Sequence, residues 1–401
     1  MKLDWLISKN KRRGPFVVID IGSASVGGAL IYPKNSSDKT SLVMTDACRF
    51  PVKLVKELSL QIFIKSLSES LNKVVNKIQA SDNYSQPQAV LVFLPSIFVV
   101  SRTKVINHQS PGRDFSVNRK LVKKLVDGSK KEFQDKWPKL FPAVIDDQTV
   151  ELDDTVLEVR LNGYKINNPI NKQANQLSLT HYYSLTSEAI KKKFNDQMLL
   201  WPDNAIEYHS FGLAYYRVMQ YLNPEEQDVI LMDVTGELSD LYLVRGGLLL
   251  NNSSFPIGKN CILRRLAECL NTTGAEVYST LTLFKQGKLE KRSYEKIEKA
   301  LEGVRKEWLA GLVETLEILQ GHYLLPEKLM IMGDDIVCQI FTDWLNREPL
   351  EKFTLSHQSI EAQYVKPRLF SDHYLSGSHR DEMPTEDPFL LTAGLFCKYW
   401  M

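Results

Sequence analysis

Continuous apolar runs alternate along this chain with amphipathic stretches at helical spacing, a pattern that predicts a mixed α/β fold. Two runs share one plan. The first is Val17-Val18-Ile19-Asp20-Ile21-Gly22-Ser23-Ala24-Ser25-Val26, and the second is Val229-Ile230-Leu231-Met232-Asp233-Val234-Thr235-Gly236-Glu237-Leu238-Ser239-Asp240. Each reads as an apolar strand with an aspartate near its end, a turn of small residues and a returning strand. Between and around them, residues 58–78 predict a helix, with Leu60, Phe63, Ile64, Leu67, Leu71, Val74 and Ile78 on one face. A polar loop is expected over 33–40, a strand over 89–94, helices over 118–133 and 187–200, and paired strands over 156–159 and 177–183. The stretch 138–154 reads as a loop. Further on, a long helix carries Ile297, Leu301, Val304, Trp308, Leu312, Leu316 and Leu319 as one stripe, and Lys328-Leu329-Met330-Ile331-Met332-Gly333-Asp334-Asp335 reads as a strand entering a turn before a helix.

Length changes this picture first. With 401 residues the chain exceeds the ~250–300 at which one hydrophobic core stops growing, so two lobes or several subdomains are expected. Fifty basic residues nearly balance 48 acidic ones, which removes the positive field that a nonspecific nucleic-acid binder needs. Five scattered cysteines, with no Cys-x-x-Cys spacing, read as structural thiols in a reducing compartment. The seven histidines likewise show no metal-ligand spacing. The most apolar run, 89–100, contains Pro95 and falls short of the ~20 residues of a membrane-spanning helix. At the N-terminus, Leu3, Trp5, Leu6 and Ile7 precede Lys9, Lys11, Arg12 and Arg13. That cluster reads either as a weak peripheral contact with an anionic membrane surface or as an unattached chain end.

The candidate chemistry lies in the two turns. A tight turn of small residues offers backbone N–H groups to phosphate oxygens, and an aspartate beside it suits a hydrated Mg²⁺. Two such hairpins facing each other would clamp a nucleotide tail. This pairing, with the ordered elements around it, resembles the actin-like ATPase superfamily, nearest to the cell-division protein family FtsA and the type IV pilus family PilM. Gly163-Tyr164-Lys165-Ile166-Asn167-Asn168-Pro169 followed by Leu177-Ser178-Leu179-Thr180-His181 resembles the inserted α+β subdomain of FtsA. Phe211-Gly212-Leu213-Ala214-Tyr215-Tyr216 resembles the helix between the lobes, and Asp387-Pro388-Phe389-Leu390-Leu391-Thr392-Ala393-Gly394-Leu395 the terminal helix.

The resemblance implies a two-lobed actin-like ATPase fold with an inserted α+β subdomain. Its expected divisions are 1–87 for the first-lobe core, 88–200 for the insertion and 201–226 for the connection. The second-lobe core follows over 227–270, its outer part over 271–325, and the adenosine region with the terminal helix over 326–401. It further implies that ATP or ADP binds with Mg²⁺, the metal being held through water by Asp20 and Asp233. Phosphate would meet Gly22, Ser23, Ala24, Thr235, Gly236 and Glu237, and the nucleoside would lie beside Gly333 and Asp334.

Three departures from the family pattern point to slow turnover or none. Thr235 and Glu237 stand in a turn that is glycine-rich in FtsA, a Glu237 carboxylate near phosphate would repel it unless metal intervenes, and Asp334 replaces bare backbone beside the nucleoside. Asp334 itself reads as a helix N-cap, and Glu307 as an exposed helix-face carboxylate. No general base for hydrolysis is legible. The resulting expectation is an actin-like scaffold similar to FtsA that self-associates or joins a division-ring protein. The alternatives are a PilM-like cytoplasmic adaptor of pilus assembly and, third, a small-molecule kinase. The insertion, over 94–200, is the expected contact surface.

Overall fold

The structure, a computed structural model, describes residues 14–35, 40–54, 59–110, 112–140, 148–321, 324–375 and 383–399. The apolar-basic N-terminal cluster lies outside them. The first lobe opens with the meander β1 (Phe16–Ile21), β2 (Ser25–Asn35) and β3 (Thr40–Pro51), followed by α1 (Leu60–Gln79) and β4 (Ala89–Leu94). The insertion comprises β5 (Val100–Gln109), β6 (Phe115–Ser116), α2 (Arg119–Leu140), β7 (Thr149–Leu161), β8 (Tyr164–Lys165), β9 (Gln173–Ala174) and β10 (Gln176–Ser187). The chain returns through α3 (Glu188–Asn195) and β11 (Ile206–Ser210) and leaves by α4 (Phe211–Leu222). In the second lobe β12 (Val229–Val234), β13 (Ser239–Arg245) and β14 (Leu248–Phe255) precede α5 (Lys259–Leu270), α6 (Gly274–Lys285) and α7 (Lys291–Gln320). There follow β15 (Lys328–Met332), α8 (Asp335–Leu345), β16 (Glu361–Tyr364) and α9 (Pro388–Phe396).

The two lobes repeat one sheet. The first runs β11-β4-β1-β2-β3 and the second β14-β13-β12-β15-β16. In both, the leading strand pairs antiparallel with the returning strand of its hairpin and parallel with a later strand on its other side. The inner strands β1, β4 and β12 are buried at every position, as strands covered on both faces must be. One face of the first sheet packs on α1 and α3 through Val17, Ile19, Leu67, Leu71, Val74 and Phe194. The far face of the second sheet packs on α5, α7 and α8 around Trp308. The remaining faces share one core, in which Phe16, Val18 and Leu91 of the first sheet and Leu231, Tyr242 and Met332 of the second meet Tyr215 of α4 and Leu391 of α9. Those two helices lie between the sheets and bind the lobes together.

Several boundaries differ from the sequence expectation. The strand 89–94, assigned there to the insertion, is β4, an inner strand of the first-lobe sheet between β1 and β11. An apolar run bounded by Pro87 and Pro95 carries no mark of which sheet it joins. The helix α3 is shorter than expected, and its Ile190 and Phe194 belong to the first-lobe core. The chain expected to loop over 138–154 instead continues α2 to Leu140 and enters β7 at Thr149. The loop over 33–40 shrinks because β2 and β3 extend to Asn35 and from Thr40. The insertion is a four-stranded antiparallel sheet, β5-β10-β7-β8, covered by α2. It is tied to the first lobe by a buried carboxylate. Asp153 of β7 accepts hydrogen bonds from His209 Nδ1 at 2.8 Å, Ser210 N at 2.9 Å, and the hydroxyls of Ser210 and Ser184 at 2.6 Å each. Among the described residues no helix is long and apolar enough to cross a membrane.

Candidate functional site

The two hairpin turns face each other at the carboxyl ends of β1 and β12. Asp20 lies opposite Gly27 on β2, and Gly27 lies opposite Arg49 on β3. A Cβ at Gly27 would come within 2.6 Å of Arg49 Nη2, so the missing side chain lets Arg49 reach across β2. Its Nη2 donates to Asp20 at 2.8 Å, its Nη1 to Ser25 Oγ at 3.1 Å, and its Nε to Asp387 at 2.5 Å. Asp387 caps α9, accepting from the N–H groups of Phe389 and Leu390. Burial nonetheless outweighs the Arg49 charge at Asp20 and pushes its carboxyl up to about 6. The N–H of Gly22, expected to meet phosphate, donates instead to the Ser25 carbonyl at 2.9 Å and closes its own turn.

The second turn is built the same way, and the N–H of Thr235 closes on Leu238 O at 3.0 Å. Its carbonyls face α5, where Lys259 N donates to Thr235 O at 3.0 Å and Asn260 N to Gly236 O at 2.8 Å. The Glu237 carboxylate turns the same way. It accepts from Arg264 Nη1 at 3.0 Å and Nη2 at 2.7 Å, and from Asn260 Nδ2 at 2.7 Å. Its charge is therefore neutralised on α5, and the repulsion expected from the sequence does not arise. Asp233 faces Asp240 across β12 and β13. Burial, then the neighbouring Asp240 and Asp20 charges, hold the Asp233 carboxyl well above the usual carboxylate range. Burial also raises Asp240, although Ser96 Oγ donates to it at 2.5 Å. Among the described residues, Asp233 Oδ1 and Asp240 Oδ2 have no partner.

On the side expected to face a nucleoside, Asp334 occupies the N-cap position of α8, but its side chain makes no capping bond. It accepts from Tyr278 Oη at 2.6 Å and lies 3.5 Å from Lys259 Nζ. Gly333 has no room for a side chain, since a Cβ would stand 2.9 Å from Cys338 Sγ. Glu307 pairs with Arg265 at 3.1 Å on the helix surface.

Between the lobes the turns touch. Ser23 Oγ accepts from Glu237 N at 3.0 Å and donates to Thr235 Oγ1 at 3.0 Å, and Thr235 Oγ1 donates on to Leu238 O at 3.0 Å. A Cβ on Gly236 would lie 2.7 Å from Ala24 N. The cavity left among Asp20, Ser23, Asp233, Gly236, Lys259 and Asp334 measures about 30 Å³. Of the residues expected at the site, Asp20, Gly22, Ser23, Ala24, Asp233, Thr235, Gly236 and Asp334 line this cavity, whereas Glu237 turns to α5 and Gly333 lies beside Asp334 outside the lining. The sequence expectation leaves out Arg49, Ser96, Asp240, Lys259, Tyr278 and Asp387. Asp240 stands within the second run, and Gly27 opposite Asp20 marks the opening for Arg49. The others carry no local signal.

No family model matches the sequence, and no curated protein matches it. Solved structures do. The PilM-PilN type IV pilus biogenesis complex aligns over 98% of this chain and 100% of that one, with a TM-score of 0.63 at 13% identity. The chain has the actin-like ATPase fold. Also similar are the MamK double helical filament, covering 96% of this chain and 98% of that one with TM-score 0.47 at 10% identity, and MreB 5 of Spiroplasma citri bound to AMPPNP, covering 97% of each with TM-score 0.43 at 9% identity. Proteins of the actin-like ATPase fold bind a nucleotide and typically a divalent metal. In this actin-like chain the groups expected to hold them are engaged within the protein. Asp20 is held by Arg49, the N–H groups of Gly22 and Thr235 close their own turns, and the first N–H groups of α5 are spent on the second turn.

A larger opening lies elsewhere. A groove of about 320 Å³ runs between Leu157 and Lys165 of the insertion, Tyr216, Arg217 and Tyr221 of α4, and Leu248 of the second lobe. Tyr216 Oη is fixed at its floor by the Gly247 carbonyl at 2.8 Å, while Tyr221 remains 45% exposed.

Proposed function

We propose that this chain is a cytoplasmic actin-like adaptor of a bacterial envelope assembly, and that it works by capturing a short segment of a partner protein. The observation that carries the reading is the contrast between its two openings, about 30 Å³ in the cleft and about 320 Å³ beside the insertion. The second is within the range of clefts that hold small ligands, and a short peptide segment could seat a side chain there. Its rim joins the insertion, the connecting helix and the second lobe, so an occupant would touch three parts of the molecule at once. The whole-chain likeness to the PilM-PilN complex favours a type IV pilus role over a division-ring role. The FtsA-type reading rests on the residues 163–169 and 177–181 and stands second. A small-molecule kinase is disfavoured, because the sequence carries no recognisable substrate motif.

The test is fluorescence anisotropy with labelled peptides from the cytoplasmic segment of a PilN-type partner, against the wild type and the variants Lys165→Glu and Tyr221→Ala. Saturable binding to the wild type, weakened at least about ten-fold by either variant, is expected; a ten-fold loss corresponds to about 1.4 kcal/mol. Equal binding by all three moves the partner away from the groove. Binding instead to a tubulin-like division protein, with none to the pilus peptides, favours the second reading.

A further inference from the structure

The contacts across the cleft form a closed set. A ligand that bridged two such turns would supply an anion to the turn donors and a cation to the aspartates. Here the chain supplies both. The Ser23 hydroxyl sits where an anion's oxygen would accept from the second turn, taking the Glu237 N–H at 3.0 Å and passing its own proton to Thr235 Oγ1 at 3.0 Å. The Arg49 guanidinium sits where a cation would serve Asp20, at 2.8 Å. Farther along the seam Ser96 Oγ of the first lobe donates to Asp240 of the second at 2.5 Å. Gly236 lets the second turn approach Ala24 more closely than any side chain would permit.

We propose that this protein holds its lobes shut with its own side chains and needs no nucleotide to do so, Ser23 and Arg49 standing in for the anion and the cation of a bound ligand. The inference does not depend on the partner groove. For the lobes to part by the width of a phosphate, the Glu237–Ser23–Thr235 relay and the Ser96–Asp240 bond would have to break together. Each has at least one partner nearly out of contact with water, Ser23 being 1% and Asp240 2% exposed, where an unmade bond is costly. Entry of a nucleotide would leave those groups to be satisfied by the ligand alone. Meanwhile Asp334, expected from the sequence to lie beside the nucleoside, is engaged by Tyr278 and Lys259. The lock fixes the arrangement of the two sheets around α4, and with it the groove beside the insertion.

The experiment is calorimetric titration of the full-length protein with Mg·ATP and with Mg·ADP up to 1 mM, paired with thermal unfolding in the same solutions and repeated on Ser23→Ala. For the wild type we expect no saturable heat and no rise in Tm. A ligand of the folded state present well above its Kd would raise Tm, so a saturable heat or a raised Tm in the wild type overturns the proposal. Ser23→Ala strips the Glu237 N–H of its acceptor and is expected to lower Tm by at least about 2 °C without ligand. An unchanged Tm would show that the turns do not hold each other, and would overturn the proposal equally. The groove variant Lys165→Glu, assayed beside them, separates the two ideas. It is expected to leave both cleft measurements as in the wild type while weakening peptide capture.

Discussion

At the scale of single residues, Arg49 decides the character of the cleft. It joins the end of β1, the returning strand and the cap of α9, and it lies 5.4 Å from the Phe389 ring as a cation over an aromatic face. Removing one partner of a buried ion pair costs about 3–5 kcal/mol. Arg49 keeps 24% of its side-chain surface in water, so solvent screens part of that cost. Arg49→Ala is therefore expected to lose about 2–4 kcal/mol in urea unfolding. Adding Asp20→Asn removes the stranded carboxylate and should restore about 1 kcal/mol or more of it. A double variant no more stable than Arg49→Ala would mean that the charge pair is not the source of the loss.

Among elements, the joint between β7, β10 and β11 depends on one carboxylate. Burial pushes the Asp153 carboxyl up, but donation and charge from His209, with the hydroxyls of Ser184 and Ser210, more than offset this and hold it below its ordinary value of 3.8. A depressed folded pKa adds stability that is in full above the unfolded value and is lost as pH falls through the folded one. Thermal unfolding should therefore show a fall in Tm as pH drops below about 4, and that fall should be shallower in Asp153→Asn. Parallel pH profiles in the two proteins would place the acid sensitivity in other carboxylates.

On the scale of the molecule, the insertion leaves and re-enters the first lobe at one point. Val100 of β5 pairs with Leu185 of β10, and neighbouring antiparallel strands stand about 5 Å apart. Replacing residues 100–187 with a short glycine linker should leave both five-stranded sheets and the α4–α9 core able to fold, with a lower Tm because His209 and Ser210 lose Asp153. Circular dichroism would follow the unfolding, and the peptide assay would read partner capture, which is expected to vanish. A folded deletion that still captures the peptide would put the contact on the second lobe. Cutting at residue 88 instead would remove β4, the strand between β1 and β11, and the first sheet would fail.

What the sequence determined alone was local and periodic. The two strand–aspartate–turn runs, the buried stripe of α7 and the apolar strand before Gly333 all follow from spacing within a few residues, and they placed Asp20 and Asp233 at equivalent ends of two sheets. Ownership of β4 by the first lobe rather than the insertion was not legible, because strand pairing partners lie far away in the chain. Nor was the state of the cleft. Whether Ser23 meets a ligand or Thr235, whether Glu237 faces the opening or Arg264, and whether Asp20 is paired with Arg49 are settled by contacts between residues far apart in sequence. Periodicity reports which face of an element is buried. Only the packed structure reports what that face is buried against, and here it sets Ser23 against Thr235 and Asp20 against Arg49.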